Sequence, residues 1–191
     1  DALASLFTRR LVVSGLNLGA LMDISDGTCP TVTIEVGGRL DEEAHVLAYE
    51  GLQRYAMSER VLAGPHTDCA MEILRDPIRL ELREGVTLAY SQTPRPGLDI
   101  TLRADIEHHN FGVVSADTPL GWIRDDPRAL FRATDASGRC AVDALVRREG
   151  DSLLPSRDLK LFMITTNAVI AQSDCLFYAV NYAAERPVSL D

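Results

Sequence analysis

The pattern of apolar and polar positions changes near Gly64 and Pro65, and this change predicts two domains. Upstream of it, apolar side chains recur at helical spacing from Asp41 to Leu62, which predicts an amphipathic helix. Asp41 is a suitable N-cap, and the pair Gly64-Pro65 is suited to end the helix. We therefore expect one domain over residues 1–64 and a second over residues 65–191.

A short β-branched run precedes the predicted helix. Residues 31–36 (Thr-Val-Thr-Ile-Glu-Val) lie between Pro30 and the pair Gly37-Gly38. A run of this kind is typical of a buried strand in a parallel or mixed sheet. The strand, the tight turn and the long helix together predict an α/β unit. Residues 1–10 indicate the end of a helix, whereas the apolar, glycine-rich residues 11–20 fit more than one structure.

The remainder of the chain has the pattern of a β-rich domain. From Ile78 to Arg83, apolar and charged residues alternate, as they do in a strand with one solvated face. Many short runs separated by turn residues predict a small barrel or sandwich. The expected strands are residues 78–83, 86–91, 98–104, 111–114, 120–123, 129–133, 140–145, 159–165 and 175–180.

Composition and charge exclude several kinds of partner. The 191 residues include 19 Lys and Arg against 28 Asp and Glu, which gives a net charge of −9. Lys160 is the single lysine and the arginines are scattered, which argues against nucleic acid and against an anionic membrane as partners. The longest apolar runs are far shorter than the ~20 residues that span a bilayer. The four cysteines are widely spaced and form no Cys-x-x-Cys pair, which favours a reducing, cytoplasmic location.

Glu35 is the residue that most strongly suggests chemistry. It lies near the end of the β-branched run, immediately before the Gly37-Gly38 turn. A carboxylate inside a buried strand costs free energy unless it is paired or functional, and ligands of open α/β sheets bind beyond the carboxyl ends of the strands. Glu35 is therefore a candidate catalytic base. The alternative is a structural glutamate on an edge strand, with its side chain in solvent.

The segment around Glu35 resembles a known enzyme family. The run from Cys29 to Gly38, followed by Asp41, Ala44-His45 and Tyr49-Glu50-Gly51-Leu52, is similar to the succinylglutamate desuccinylase/aspartoacylase family of the zinc carboxypeptidase-like (M14-type) superfamily. Its members carry a Thr-x-Glu-x-Gly strand whose glutamate is the catalytic carboxylate, and they append a β-domain. The stretches His109-Asn110-Phe111-Gly112 and Thr118-Pro119-Leu120-Gly121-Trp122 look like part of that β-domain.

The resemblance implies a carboxypeptidase-like α/β remnant over residues 1–64, followed by a β-rich accessory domain over residues 65–191. It also implies a zinc-dependent hydrolase that cleaves an amide or N-acyl bond of a small N-acyl amino acid or peptide-like substrate. Two histidines and a glutamate would bind Zn²⁺, and Glu35 would act as general base and then general acid. No histidine precedes Glu35 in this sequence. We therefore expect the zinc ligands upstream of these residues, the chain to be the C-terminal part of a longer enzyme, and the isolated chain to be inactive.

Within the chain itself, a metal site is not expected. His66 and Cys69 have a ligand-like spacing, but no second pair follows. The adjacent His108 and His109 would face opposite sides of a strand, and His45 fits a polar position on the predicted helix.

The cysteines are expected to be buried or idle, with Cys29 the one nearest Glu35. The alternative to an enzyme is a complete, non-catalytic binding or assembly module derived from the same fold, in which Glu35 is structural. No pattern in the sequence specifies an oligomeric state.

Overall fold

The computed structural model describes residues 2–15, 29–37, 42–63 and 71–182. The chain divides into two compact units, which we call the N-terminal unit (Asp1–Arg75) and the C-terminal unit (Asp76–Asp191). The protein has a mixed α/β fold in which short helices accompany the sheets. Among the described residues, no helix has the length and apolar character that crossing a bilayer requires.

The N-terminal unit is built around a pair of parallel strands. Its helices are α1 (Ala2–Ser5) and α2 (Glu42–Met57), and its strands are β1 (Arg10–Val13) and β2 (Glu72–Arg75). The register of the strands runs from Arg10 opposite Glu72 to Val13 opposite Arg75. Parallel strands need a long crossover connection, and α2 lies between them in the sequence. The predicted α/β character of this unit is therefore present, although neither β1 nor β2 was expected as a strand.

Helix α2 packs through its smallest residues. Ala44 and Gly51 are its buried positions. A Cβ added at Gly51 would clash with the ring of Phe7, so only glycine permits this approach. Arg54 Nε donates a hydrogen bond of 2.7 Å to the carbonyl oxygen of Leu6. The helix ends at Met57 rather than at Leu62 as the sequence pattern predicted.

The strand predicted over residues 31–36 is not present, so this expectation was wrong. Residues 31–37 have no helix or strand pairing. The β-branched composition favours an extended backbone, but a strand also requires a neighbour that accepts its hydrogen bonds. In the described part of this unit, β1 and β2 pair with each other instead. The predicted strand–turn–helix arrangement around Glu35 therefore lacks its strand, and residues 31–37 precede α2 without regular secondary structure.

The C-terminal unit contains two open five-stranded sheets, and the described residues form no closed barrel. The first sheet has the order β4-β5-β7-β10-β9, with β4 and β5 parallel and the other pairs antiparallel. The second sheet has the order β6-β11-β12-β3-β8 and is antiparallel throughout. The strands are β3 (Ile78–Leu82), β4 (Leu88–Tyr90), β5 (Ile100–Leu102), β6 (Val113–Val114), β7 (Gly121–Ile123), β8 (Phe131–Arg132), β9 (Val146–Glu149), β10 (Ser152–Pro155), β11 (Leu159–Phe162) and β12 (Phe177–Asn181).

Both sheets contribute to one hydrophobic core. Ile100 and Leu153 enter it from the first sheet, and Leu80, Leu161 and Phe177 enter it from the second. All five side chains are fully buried. Apolar side chains on the facing sides of two sheets are expected to interdigitate in this way.

The predicted strands of this unit differ from the observed ones in two ways: β9 and β10 were not expected, and short helices replace part of the expected strands. Residues 140–145 were expected to form a strand, but Val142–Leu145 form helix α4. Val142 and Leu145 are both buried, and a spacing of three residues puts both on one side of a helical turn. Two more short helices, α3 (Pro127–Leu130) and α5 (Ala168–Ser173), begin at side-chain caps from Asp126 and Asn167.

Candidate functional site

Glu35 lies on an exposed extended segment. Along residues 31–37 the side chains alternate, with Thr33 and Glu35 exposed while Ile34 and Val36 are half-buried. This alternation is that of an extended backbone, in which successive side chains point to opposite sides. The carboxylate of Glu35 is therefore accessible to water and to a small molecule, as a general base must be.

Gly37 follows Glu35 by two positions and has a backbone conformation that favours glycine. Its φ is 134°, a value that side-chain-bearing residues rarely adopt. The Thr33-x-Glu35-x-Gly37 pattern therefore places two exposed polar side chains just before this glycine. Helix α2 begins shortly afterwards, with Glu42 and Glu43 in its first turn.

The described residues do not fit a zinc site. Among them, no group of three or more His, Cys, Asp or Glu side chains is close enough to hold a metal ion. His66 and Cys69, the pair with ligand-like spacing, lie outside the described residues. The described part of the chain therefore provides a carboxylate in Glu35 but no set of zinc ligands beside it.

The other three histidines lie on two helices. His45 is exposed on α2. His108 and His109 lie on a 3₁₀ helix (Ile106–His109), not on a strand, so the expectation that they face opposite sides of a strand was wrong. The acidic residue beside them, Glu107, accepts a hydrogen bond of 3.3 Å from the Thr166 hydroxyl.

The cysteines differ in exposure. Cys29 and Cys140 are exposed and Cys175 is buried, while Cys69 lies outside the described residues. Burial raises the pKa of the Cys175 thiol to about 11, so this thiol stays protonated at neutral pH. Cys175 therefore has the properties of a structural residue. Cys29 and Cys140 are not buried, so for these two thiols only the idle state of the expected pair of states stays a prediction.

The second sheet carries a charged network that the sequence did not reveal. Arg79 Nε lies 3.0 Å from Glu81 Oε1, although it is not aligned for a hydrogen bond, and the same guanidinium pairs with Asp174. Arg132 Nε donates a hydrogen bond of 2.7 Å to Glu81 Oε2, and Arg132 Nη2 lies 2.5 Å from the same oxygen. The Arg79 guanidinium is also 6.0 Å from the ring centre of Tyr178. Only the Arg79–Glu81 spacing along one strand face could have indicated this cluster, since the other partners are distant in sequence.

Two cavities lined by described residues are open to solvent, and Glu35 lines neither of these two. A groove of about 630 Å³ lies beside the C-terminal half of α2, and a smaller pocket of about 250 Å³ lies beside β9 and β10. The groove is lined by Leu6, Glu50, Gln53, Arg54, Met57 and Ser58, and the pocket by Asp117, Arg147, Glu149, Ser152 and Leu154.

Comparisons of the chain with protein-family models, with curated proteins and with solved structures give no match. The resemblance to the desuccinylase/aspartoacylase family therefore stays a prediction, made from the residues around Glu35 and from the stretches 109–112 and 118–122. The geometry of the site adds that Glu35 is exposed and that Gly37 has a conformation specific to glycine.

Proposed function

We propose that this chain contributes the catalytic carboxylate, Glu35, to a zinc-dependent hydrolase that cleaves an amide or N-acyl bond of a small amino-acid-like substrate. The single observation that carries the proposal is the Thr33-x-Glu35-x-Gly37 pattern, with Glu35 accessible and Gly37 at φ 134°. The zinc ligands would come from polypeptide other than the described residues, as the resemblance implies.

The part of the reaction that this chain would perform is proton transfer. Glu35 would accept a proton from the attacking water while the water oxygen bonds to the carbonyl carbon. As the C–N bond breaks, the same proton would pass from Glu35 to the leaving amine. Such general acid–base catalysis contributes about 10²–10⁴-fold to a rate. The carboxylate alone therefore supplies only a fraction of enzymatic acceleration, and we expect the isolated 191 residues to be inactive.

The first test is the intact mass and zinc content of the natively expressed protein. A mass above 20.9 kDa with about one zinc per chain would support the proposal. A mass of 20.9 kDa without zinc would instead favour the binding-module alternative. Zinc-dependent amidase activity from the isolated 191 residues would contradict the expectation that the zinc ligands lie outside this chain.

The second test compares two glutamates of the native protein on N-acyl amino acids. Glu35→Gln should lower kcat by about 10²–10⁴-fold without changing the zinc content, because it removes the proton acceptor alone. Glu42→Gln is the matched control, since Glu42 is also exposed and lies in the first turn of α2. Equal turnover by the Glu35→Gln variant and the wild type would overturn the proposal.

A second candidate function is a non-catalytic assembly module, and one observation favours it. Helix α2 exposes large apolar side chains, including Tyr49 and Met57, while it buries Ala44 and Gly51. Exposed apolar surface of this kind marks sites of protein association.

A further inference from the structure

The connection between β11 and β12 is longer than the pairing of these strands requires. The two strands are antiparallel neighbours, which a two-residue turn can join, yet residues 163–176 lie between them. Helix α5 lies in the middle of this connection and packs against β3 and β4. Its base is closed by backbone hydrogen bonds from Thr165 to Leu176 (3.0 Å) and from Leu176 to Leu80 (2.8 Å). We call residues 166–174 the α5 flap.

The α5 flap buries little of its own surface. Of its residues, all of which the structure describes, Ala171 alone is buried. The larger apolar side chains of the helix point outward, with Val169 73% and Ile170 48% exposed. A segment with few buried apolar contacts opens at a lower free energy than the unit that carries it. The flap is therefore the kind of segment that can leave its sheet while the sheet stays folded.

Two solvent-accessible contacts hold the flap at its ends. Asp174 pairs with Arg79 on β3, and their side chains are 58% and 26% exposed. At the other end, the Thr166 hydroxyl donates a hydrogen bond of 3.3 Å to Glu107 Oε2. Contacts that water can reach stabilise a closed state only modestly. The helix itself is capped by Asn167, which accepts a hydrogen bond of 2.9 Å from the Val169 amide, so α5 can move as an intact turn.

Two features beside the flap favour opening. The Tyr90 hydroxyl, at the end of β4, is buried without a hydrogen-bond partner among the described residues, and this is unfavourable until water reaches it. Burial and the neighbouring Cys175 thiol raise the pKa of Tyr90, which places the two groups close together. At the start of the connection, Met163 has φ 51°, a conformation that residues with side chains rarely adopt. Strain of this kind is found at segments that switch between two states.

We propose that the α5 flap opens about its hydrogen-bonded base and exposes Tyr90 and Cys175 to solvent, while both sheets stay folded. Cys175 directly follows the flap and is buried when the flap is closed. Closure makes three contacts: the burial of Ala171, the ion pair of Asp174 and the hydrogen bond of Thr166. Each favours closure by about five- to tenfold, so the open fraction is on the order of 10⁻² to 10⁻³. The inference does not depend on the role of Glu35.

Labelling of Cys175 by N-ethylmaleimide measures the opening. The extent is followed by mass spectrometry of the peptide that carries Cys175, at reagent concentrations low enough that the rate is proportional to reagent. Relative to the unfolded chain in concentrated urea, labelling should be slower by on the order of 10²–10³ and should depend weakly on urea. Protection with the size and urea slope of global unfolding, followed by Trp122 fluorescence, would overturn the proposal. Labelling as fast as in the unfolded chain would also overturn it, because no flap then covers the thiol.

Two pairs of variants test the contacts, with each rate normalised to that of the same variant unfolded. Asp174→Asn should speed labelling about fivefold, because it removes the ion pair of the flap. Asp143→Asn is the matched control, since Asp143 is 57% exposed and pairs with Arg128 instead. Tyr90→Phe should slow labelling about fivefold, because the closed state then holds no unpaired hydroxyl. The exposed Tyr182 provides its control, Tyr182→Phe, which should label like the wild type. Equal rates within either pair would overturn the proposal.

Discussion

Replacing Glu81 by glutamine tests how the charged network of the second sheet contributes to stability. Glutamine preserves the shape of the side chain and removes its charge. Glu81 is well placed for this test because its side chain is only 17% exposed and it lies between Arg79 and Arg132. The substitution weakens both contacts at once.

The expected cost follows from the exposure of each partner. Arg132 is 66% exposed, so its contact with Glu81 is screened by water and contributes less than about 1 kcal/mol. Arg79 is 26% exposed, so its contact with Glu81 is screened less than that of Arg132, but Arg79 Nε is not aligned for a hydrogen bond to Glu81, and this ion pair contributes about 1 kcal/mol. Arg79 keeps its pairing with Asp174, so no isolated buried charge remains. We therefore expect Glu81→Gln to lower the free energy of unfolding by about 1.5 kcal/mol.

The single tryptophan provides the assay. Trp122 lies on β7, so its fluorescence reports unfolding of the C-terminal unit. In a urea titration, Glu81→Gln should lower the transition midpoint without changing the slope, because the variant leaves the surface exposed on unfolding unchanged. Arg132→Gln should cost about 0.5 kcal/mol. Glu84→Gln is the matched control, since Glu84 is exposed in the turn that follows β3.

Two results would refute this reasoning. A cost for Arg132→Gln equal to that for Glu81→Gln would mean that exposure does not rank the contacts. A cost below about 0.5 kcal/mol for Glu81→Gln would mean that the network adds nothing beyond an ordinary surface ion pair. The double variant should cost less than the sum of the two single variants, because both remove the same contact.

Two further predictions concern the C-terminal unit. A Cβ at Gly121 would clash with the Thr101 carbonyl oxygen and lie 2.8 Å from Leu102 Cα. Gly121→Ala should therefore lower the free energy of unfolding by about 3 kcal/mol in the same urea titration. An unchanged transition midpoint would contradict this. Hydrogen bonds from Ser137 and Arg139 lower the pKa of Asp135 to about 2, so the stability that this carboxylate contributes is complete above about pH 4 and is lost toward pH 2. The stability difference between wild type and Asp135→Asn should thus be constant from pH 7 to about 5 and shrink on further acidification, and a difference that grows there would contradict the assignment.

The sequence could predict elements whose signal is local. Strand β3 has alternating apolar and charged residues, and β12 is a short apolar run between turns, so both were expected near their observed positions. Helix α2 was expected from its spacing and its acidic first turn. In each case the pattern along a single segment is enough to indicate the type of element.

Elements that depend on distant partners could not be predicted in this way. The pairing of β1 with β2 joins residues about 60 positions apart, and neither strand has an alternating pattern. The β-branched residues 31–36 have high strand propensity and yet form no strand in the described structure. Propensity sets the backbone conformation of such a segment, whereas a partner decides whether it becomes a strand.

The candidate site stays a prediction. The residue type of Glu35 and the glycine at position 37 are local features of the sequence; Glu35 is exposed, as the structural alternative also expects, and Gly37 has φ 134°. The surroundings of Glu35 depend on what the segment pairs with, which spacing does not encode. The network around Glu81 illustrates the same limit, because Arg132 and Asp174 approach it only through folding.

The proposed role of Glu35 can be separated from a role in folding, because the two roles predict different losses. A pair of strands is a marginal sheet, so the order of the described part of the N-terminal unit depends on the packing of α2. If Glu35 acts solely in proton transfer, Glu35→Gln lowers turnover and leaves the helical circular dichroism and the zinc content unchanged. If Glu35 instead supports the fold of the unit, the same variant lowers the helical circular dichroism together with turnover, whereas Glu42→Gln lowers neither.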